Sequence, residues 1–292
     1  MKNANATAIG GLLTGALVWG LIWYPYRVLE EAGVSPAAAT LASYTVALVL
    51  SLVLFRDQLP GLLRADWLLL AIALSSGWTN LAYVLGMVHG EVMQVLLLFY
   101  LAPLWTVFFA RVLLHERAGL VGLLVVLLSL AGAVLMLWTP GLSLPLPDSA
   151  AEWFGLTAGI TFALANVLIR KAAHQSIRLK AVAVFAGVVV VALAVLPFEG
   201  AFAASAAAAP ASLLLVAGIG VVLLVANLAV QHGLTHIAAN QAIVILLSEL
   251  IVAAVSAYVL AGESMHWSQW LGGVLVVAAT LLSGRLGEHG TG

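Results

Sequence analysis

The sequence predicts an all-α, polytopic membrane protein of ten transmembrane helices, arranged as two inverted five-helix repeats around a central cavity. Three observations carry this expectation. The 292 residues are 64% hydrophobic and only 8% charged, whereas a soluble domain carries about 25% charged residues. Apolar runs of about 20 residues recur along the chain, each long enough to cross a bilayer as a helix. Finally, Asn80, His89, Gln94 and Glu116 reappear as Asn227, His236, Gln241 and Glu263, all displaced by 147 residues without a gap. These residue types are scarce here, so four coincidences at one offset mark a duplicated unit.

The ten spans fall at 8–29, 36–55, 66–87, 91–114, 118–138, 151–171, 179–197, 211–233, 238–260 and 267–285. Each is expected to be helical, because backbone in lipid must satisfy its own hydrogen bonds. The first run ends in Tyr26-Arg27 rather than at a small-residue cleavage site and is read as a retained span. Gly33 to Pro36 separates spans one and two, and Arg56 to Arg64 with Pro60 separates two and three. Spans three to five follow on short turns around Gly90 and Glu116. The connector Thr139 to Asp148 contains three prolines and cannot continue a helix. It falls between the halves, giving a first repeat at 1–139, a Pro-rich linker at 140–150 and a second repeat at 151–286. The Ala/Ser stretch Ala201 to Ser212 reads as a connector.

A repeat with an odd number of spans places its second copy upside down, and inverted copies meeting at the midplane are a common plan of secondary transporters. Charge sets the orientation. With a cytoplasmic N-terminus, the inside receives Lys2, Arg56, Arg64, Arg111, Arg117, Arg170, Lys171, Arg178, Lys180 and Arg285, and the outside receives only Arg27. This positive-inside bias puts both termini in the cytoplasm of a bacterial inner (plasma) membrane protein. It also puts the turns at Glu116 and Glu263 on opposite faces, as inversion requires.

Two stretches carry a family resemblance. LAPLWTVFFARVLLHERAGLVGLLVVLLSLAGAVLML (101–137) and SELIVAAVSAYVLAGESMHWSQWLGGVLVVAATLL (248–282) share an apolar helix, a Glu at the turn and a Gly/Leu/Val/Ala-rich closing helix. The pattern resembles the EamA repeat of the drug/metabolite transporter superfamily, twice over nearly the whole chain. The aromatic first span WGLIWYPYR and the paired Asn positions are similar to the YddG-type exporters of aromatic or hydrophobic amino acids within it. There is a departure: members often carry Glu-Pro in the ninth span, and this chain has Glu249-Leu250. In the fourth span Pro103 is kept and Ala102 replaces the acid. A mechanism needing a proline hinge in both halves does not follow from this sequence.

Among residues that could bear chemistry, Glu249 stands out near the middle of span nine. An ionised carboxylate there is costly and must be protonated, hydrated or paired, which suits proton coupling or recognition of an ammonium group; helix packing is the alternative. Asn80, which shares a face with Tyr83, and Asn227 with Gln231 offer uncharged amides that could hold a zwitterion or glue helices together. Trp19 and Trp23 in span one, Trp78, Tyr83, Tyr100 and Trp105 in spans three and four, and Phe162 with Asn166 in span six could ring an apolar pocket. Gln94 and Gln241, with Trp105 and Ser248 on their stripes, are candidates for lining the pathway. Glu116 and Glu263 read as structural acids at turns, each beginning a helix whose dipole favours them. The glycine pairs Gly11/Gly15 and Gly155/Gly159 read as close-packing scaffold.

Other functional classes find little support. The chain has no HExxH, GxSxG or Walker A pattern, and its lack of cysteine excludes thiolate metal sites and thiol nucleophiles. No cofactor, metal or nucleic-acid partner is implied, no catalytic residue is assigned, and no selectivity filter argues for a channel. The expected partners are membrane lipid and a small-molecule substrate; a monomer suffices for this plan. With no Lys or Arg in mid-membrane, an amino acid with an apolar side chain is the expected cargo. Efflux of hydrophobic cations with Glu249 as counter-charge is the alternative, and a non-transporting scaffold or sensor is the reading from another class.

Overall fold

The structure, a computed structural model, describes residues 2–58, 60–61, 66–89, 92–116, 119–137, 147–195, 210–261 and 266–289, with backbone alone at 2–4, 36–37, 87–89, 92–94, 257, 261, 269 and 283–289. Among these residues there is no strand. The helices are α1 (Lys2–Glu31), α2 (Pro36–Leu54), α3 (Trp67–His89), α4 (Val92–Phe99), α5 (Ala102–Phe109), α6 (Leu120–Leu137), α7 (Ala150–Lys171), α8 (Ile177–Val195), α9 (Pro210–His236), α10 (Ala239–Leu246), α11 (Glu249–Ala261) and α12 (Trp267–His289). Eight segments are long and apolar enough to span a bilayer, and two shorter apolar helices, Ala38–Leu54 and Trp270–Leu282, complete the ten expected spans. The 140–146 part of the linker, the 201–209 part of the connector and Glu263 lie outside the described residues.

Local chemistry starts the helices where the sequence changes character. Ser35 accepts a hydrogen bond from the Ala38 N–H (3.3 Å), with Pro36 in the first helical position of α2. Ser149 accepts from the Glu152 N–H (3.3 Å), and Glu152 Oε2 in turn accepts from the Asp148 N–H (2.9 Å), closing the start of α7 reciprocally. Asp66 Oδ1 accepts from the Leu69 N–H (3.0 Å) ahead of α3. That backbone bond holds the Asp66 carboxyl below its ordinary range, helped by the Gln175 amide. After α5 the chain widens into a π-helical turn, Ala110–Leu114, and His115 ends it at φ 59°.

Packing interleaves the repeats. α3 packs against α7 and α8, and in the same way α9 packs against α1 and α2. The first two helices of each repeat therefore lie on the third span of the other. The closing helices α6 and α12 pack on each other, at Gly132 and Gly272. Glycines fix these approaches: a Cβ on Gly86 would lie 3.0 Å from the Ala151 carbonyl oxygen, and one on Gly233 would lie 2.8 Å from that of Ala8. Gly86 and Gly233 differ by 147 residues and Ala8 and Ala151 by 143, so one contact occurs twice.

The main difference from expectation concerns spans four and nine, which are not continuous helices. α4 ends at Phe99 and α5 resumes at Ala102; α10 ends at Leu246 and α11 resumes at Glu249, the same break displaced by 147 residues. In span four, Pro103 lacks the N–H that would bond to the Phe99 carbonyl. Gly159 of α7 closes over that carbonyl, and any Cβ there would collide with it. In span nine no proline is needed. Ser248 Oγ donates to the Ile245 carbonyl (2.6 Å), while the Ser248, Leu250 and Ile251 N–H groups bond three residues back, to Ile245, Leu247 and Ser248. A short hydroxyl competing for the backbone and a turn of tighter pitch break the helix.

Candidate functional site

The two breaks meet. Tyr100, in the first break, donates its hydroxyl hydrogen to Glu249 Oε1, at the start of the helix after the second. Glu249 thus lies at the N-terminus of α11, where the helix dipole favours an acid. Among the described residues no Lys, Arg or His forms an ion pair with it. Helix termini exposed at mid-span are the feature by which such folds hold polar ligands inside a membrane.

Around this pair the structure collects an aromatic cluster. Phe99 is its hub, with ring centroids 5.2 Å from Tyr83, 5.2 Å from Tyr100 and 5.4 Å from Phe162. Trp78 lies against Phe154 at 6.2 Å, and Trp105 packs on the same core. Trp78, Tyr83, Tyr100, Trp105, Phe162, Ser248 and Glu249, drawn from four expected spans, thus come together. Phe99 and Phe154 were not expected; a lone Phe in an apolar run carries no sequence signal.

Other expected site residues lie elsewhere. Asn80 is fully engaged between α2 and α3: its Oδ1 accepts from the Tyr44 hydroxyl (2.8 Å) and its Nδ2 donates to the Ser76 carbonyl (3.0 Å). The Trp23 indole N–H donates to Ser256 Oγ (2.9 Å), joining α1 to α11. Trp19 packs on a second core with Leu168 and Val230. Asn227 and Gln231 are buried on α9, each with an unmet carbonyl oxygen, and Asn166 is buried on α7 with an unmet amide nitrogen. Gln241 is half-buried in the first turn of α10. The Gln94 side chain lies outside the described residues.

The broken spans diverge from their junction. On one side of the junction α5 packs on α10, whereas on the other α4 and α11 share no comparable contact among the described residues. The α5–α10 side is the face carrying Arg111, Arg170 and Lys180, and hydrogen bonds cross it. Glu116 accepts from the Ala239 N–H at the start of α10 (3.1 Å) and from Arg170 Nε of α7 (3.4 Å). Arg170 Nη1 donates to the Thr235 carbonyl (2.5 Å), and Lys180, fully buried at 0% exposure, donates to Thr235 Oγ1 (2.5 Å) and the Ile169 carbonyl (3.2 Å). The helix terminus that Glu116 serves is therefore that of α10, in the other repeat. Lys180, expected as an edge charge, is instead a buried tie between α7, α8 and α9. Sequence spacing gave no sign of it, because its partners are 11 and 55 residues away.

Comparison with known proteins agrees with this architecture. The profile of the EamA-like transporter family matches the chain twice, at residues 6–138 and 149–285. The chain belongs to the EamA-like transporter family. Within the known proteins it is similar to an uncharacterized transporter of Archaeoglobus fulgidus, with 28% identity over 225 residues, covering 76% of this chain and 78% of the relative. A solved crystal structure superimposes with a TM-score of 0.77 at 17% identity, covering 96% of this chain and 98% of that one, which establishes the shared fold.

Proposed function

We propose that this membrane transporter exports amino acids, aromatic or otherwise hydrophobic, across a bacterial inner membrane by alternating access, with both termini in the cytoplasm. The observation supporting the reading is the Tyr100–Glu249 bond, which joins both helix breaks inside an aromatic cluster. A carboxylate at that junction offers a partner for an ammonium group, and the rings take up an apolar side chain. The half of the molecule tied by Glu116, Arg170 and Lys180 corresponds to the closed side of an alternating-access cycle, here the cytoplasmic one. Glu249 is also the residue proposed to couple transport to protons, since an intramembrane acid without an ion-pair partner is poised to exchange its proton for a cationic ligand.

The absence of an ion pair at Glu249 among the described residues also favours a second reading, efflux of hydrophobic cations, with the rings as a cage. Counterflow in proteoliposomes separates the two. Labelled phenylalanine and tetraphenylphosphonium are offered in turn, with and without a pH gradient. Exchange of phenylalanine in preference to the cation is expected. Uptake of the cation alone would transfer the site to the second reading, and flux of neither would refute transport of both classes.

A further inference from the structure

We propose that Trp105 and Asn166 form a hydrogen-bond-donating subsite that takes the carboxylate of the substrate, on the basic-face side of the Tyr100–Glu249 junction. The inference rests on the amino-acid reading above and deepens it.

The polarity of the unmet groups points to this pair. Among the described residues, Trp105 Nε1 and Asn166 Nδ2 are buried nitrogen donors without a hydrogen-bond partner, whereas the other unmet side-chain atoms there are the hydroxyl of Ser43 and amide oxygens of Gln175, Asn227, Gln231 and Asn240. An indole N–H can only donate, so Trp105 admits no alternative role by rotation of a group. Asn166 is 6% exposed, so bulk water does not serve its amide. Buried polar groups in native proteins are nearly always paired. Two unmet donors on neighbouring helices call for an acceptor supplied from outside the chain.

Helix register puts them at the same level on adjacent helices. Span four and α7 run in the same direction: Gly155 meets the backbone of Val95, Gly159 meets that of Phe99, and Ala110 packs with Val167. Carried along α5, this register sets Trp105 level with the Phe162–Asn166 turn of α7. Phe162 and Trp105 indeed pack on one core. Asn166 follows Phe162 by one turn on the same face of α7. A zwitterion between the two ends would direct its ammonium to Glu249 and its carboxylate to this pair, without the cationic side chain that a phosphate demands.

The pair exists once in a duplicated chain. The residue matching Asn166 is Trp23, whose indole N–H is spent on Ser256, and the residue matching Trp105 is Val252. A substrate with unlike ends needs such a one-sided site within a two-fold scaffold.

Counterflow of phenylalanine and of phenethylamine, which lacks the carboxylate, provides the test with the full-length protein. Trp105→Phe keeps the ring and removes the donor; Asn166→Leu keeps the volume and removes the amide. Each is expected to raise the half-saturation concentration for phenylalanine about tenfold, the scale for loss of one hydrogen bond to a charged group, and to leave that for phenethylamine within about twofold, well inside that scale. Parallel losses for both compounds would make the residues packing elements and overturn the subsite, as would no loss for either in a wild type that carries phenylalanine. A wild type that carries no amino acid overturns the subsite and the function together. The two substitutions are independent, so misfolding of one leaves the other decisive.

Discussion

α1 and α7 are the same helix made twice, and they are wired differently. At the offset of 143, Trp19 matches Phe162, Trp23 matches Asn166 and Arg27 matches Arg170. On α1 the indole N–H of Trp23 is satisfied by Ser256 of α11, and Arg27 stays local, pairing with Glu31 one turn away at 3.5 Å on side chains 53% and 69% exposed. On α7 the matched amide nitrogen of Asn166 has no partner among the described residues, and Arg170 reaches across the bundle to Glu116 and Thr235, with its ion pair only 28% and 25% exposed. Duplication supplies the scaffold, and divergence along one matched stripe leaves the cross-bundle Arg170 ties and the unmet amide on one copy alone.

Breaking this contrast gives effects that can be ranked. Arg170→Gln should act most strongly. It leaves Glu116 with only the Ala239 N–H, and lost bonds to a charged group cost about 1.5–3 kcal/mol, or about a ten- to hundredfold shift toward an open basic face. The chain has no cysteine, so a single Ala242→Cys, buried in α10, reports that opening. Its modification by a thiol reagent added on the basic face should accelerate to that extent in the Arg170→Gln background.

Gly159→Ala comes next. Its Cβ would collide with the Phe99 carbonyl at the first break, and overpacking of this kind costs about 1–3 kcal/mol, seen as a lowered melting temperature. Gly10→Ala on α1 meets nothing within 4 Å and should instead raise stability slightly, by up to about 1 kcal/mol. Trp23→Phe removes the bond to Ser256 and should cost about 0.6 kcal/mol, the typical worth of an interhelical bond in a membrane, with substrate preference unchanged. Trp105→Phe should do the reverse, because its N–H has no protein partner to lose. Smallest of all, Arg27→Gln removes an exposed pair worth about 0.3–0.5 kcal/mol, and Ala242→Cys labelling should change less than twofold, well below one tenfold step.

Much of the frame can be read from the chain because membrane physics simplifies it. Hydropathy gave the spans, and scarce polar residues at one offset gave the repeat. Gly86 and Gly233 obey the same offset, but among 27 glycines the match carries no weight until the structure places both on an alanine carbonyl. Glu249 stood out because an acid in mid-span is rare. The break beside it did not, because it arises from Ser248 bonding backwards rather than from proline. Asn80 and Asn227 look alike in sequence; only Tyr44, on another helix, engages the first. Partners such as Glu116 and Ala239, 123 residues apart, depend on how helices dock, which the periodicity of a single helix does not encode.

In the proposed function, the charge at the junction of the two breaks binds the substrate. Glu249→Gln tests it most directly, since an amide oxygen can still accept the Tyr100 hydroxyl while the charge is gone. Phenylalanine counterflow at a concentration below saturation is compared between wild type and variant, with melting temperature as the check on folding. A melting temperature near that of the wild type is expected, with exchange reduced about tenfold or more, the scale of one lost charge-assisted bond. Undiminished exchange of phenylalanine by a folded Glu249→Gln protein would contradict it.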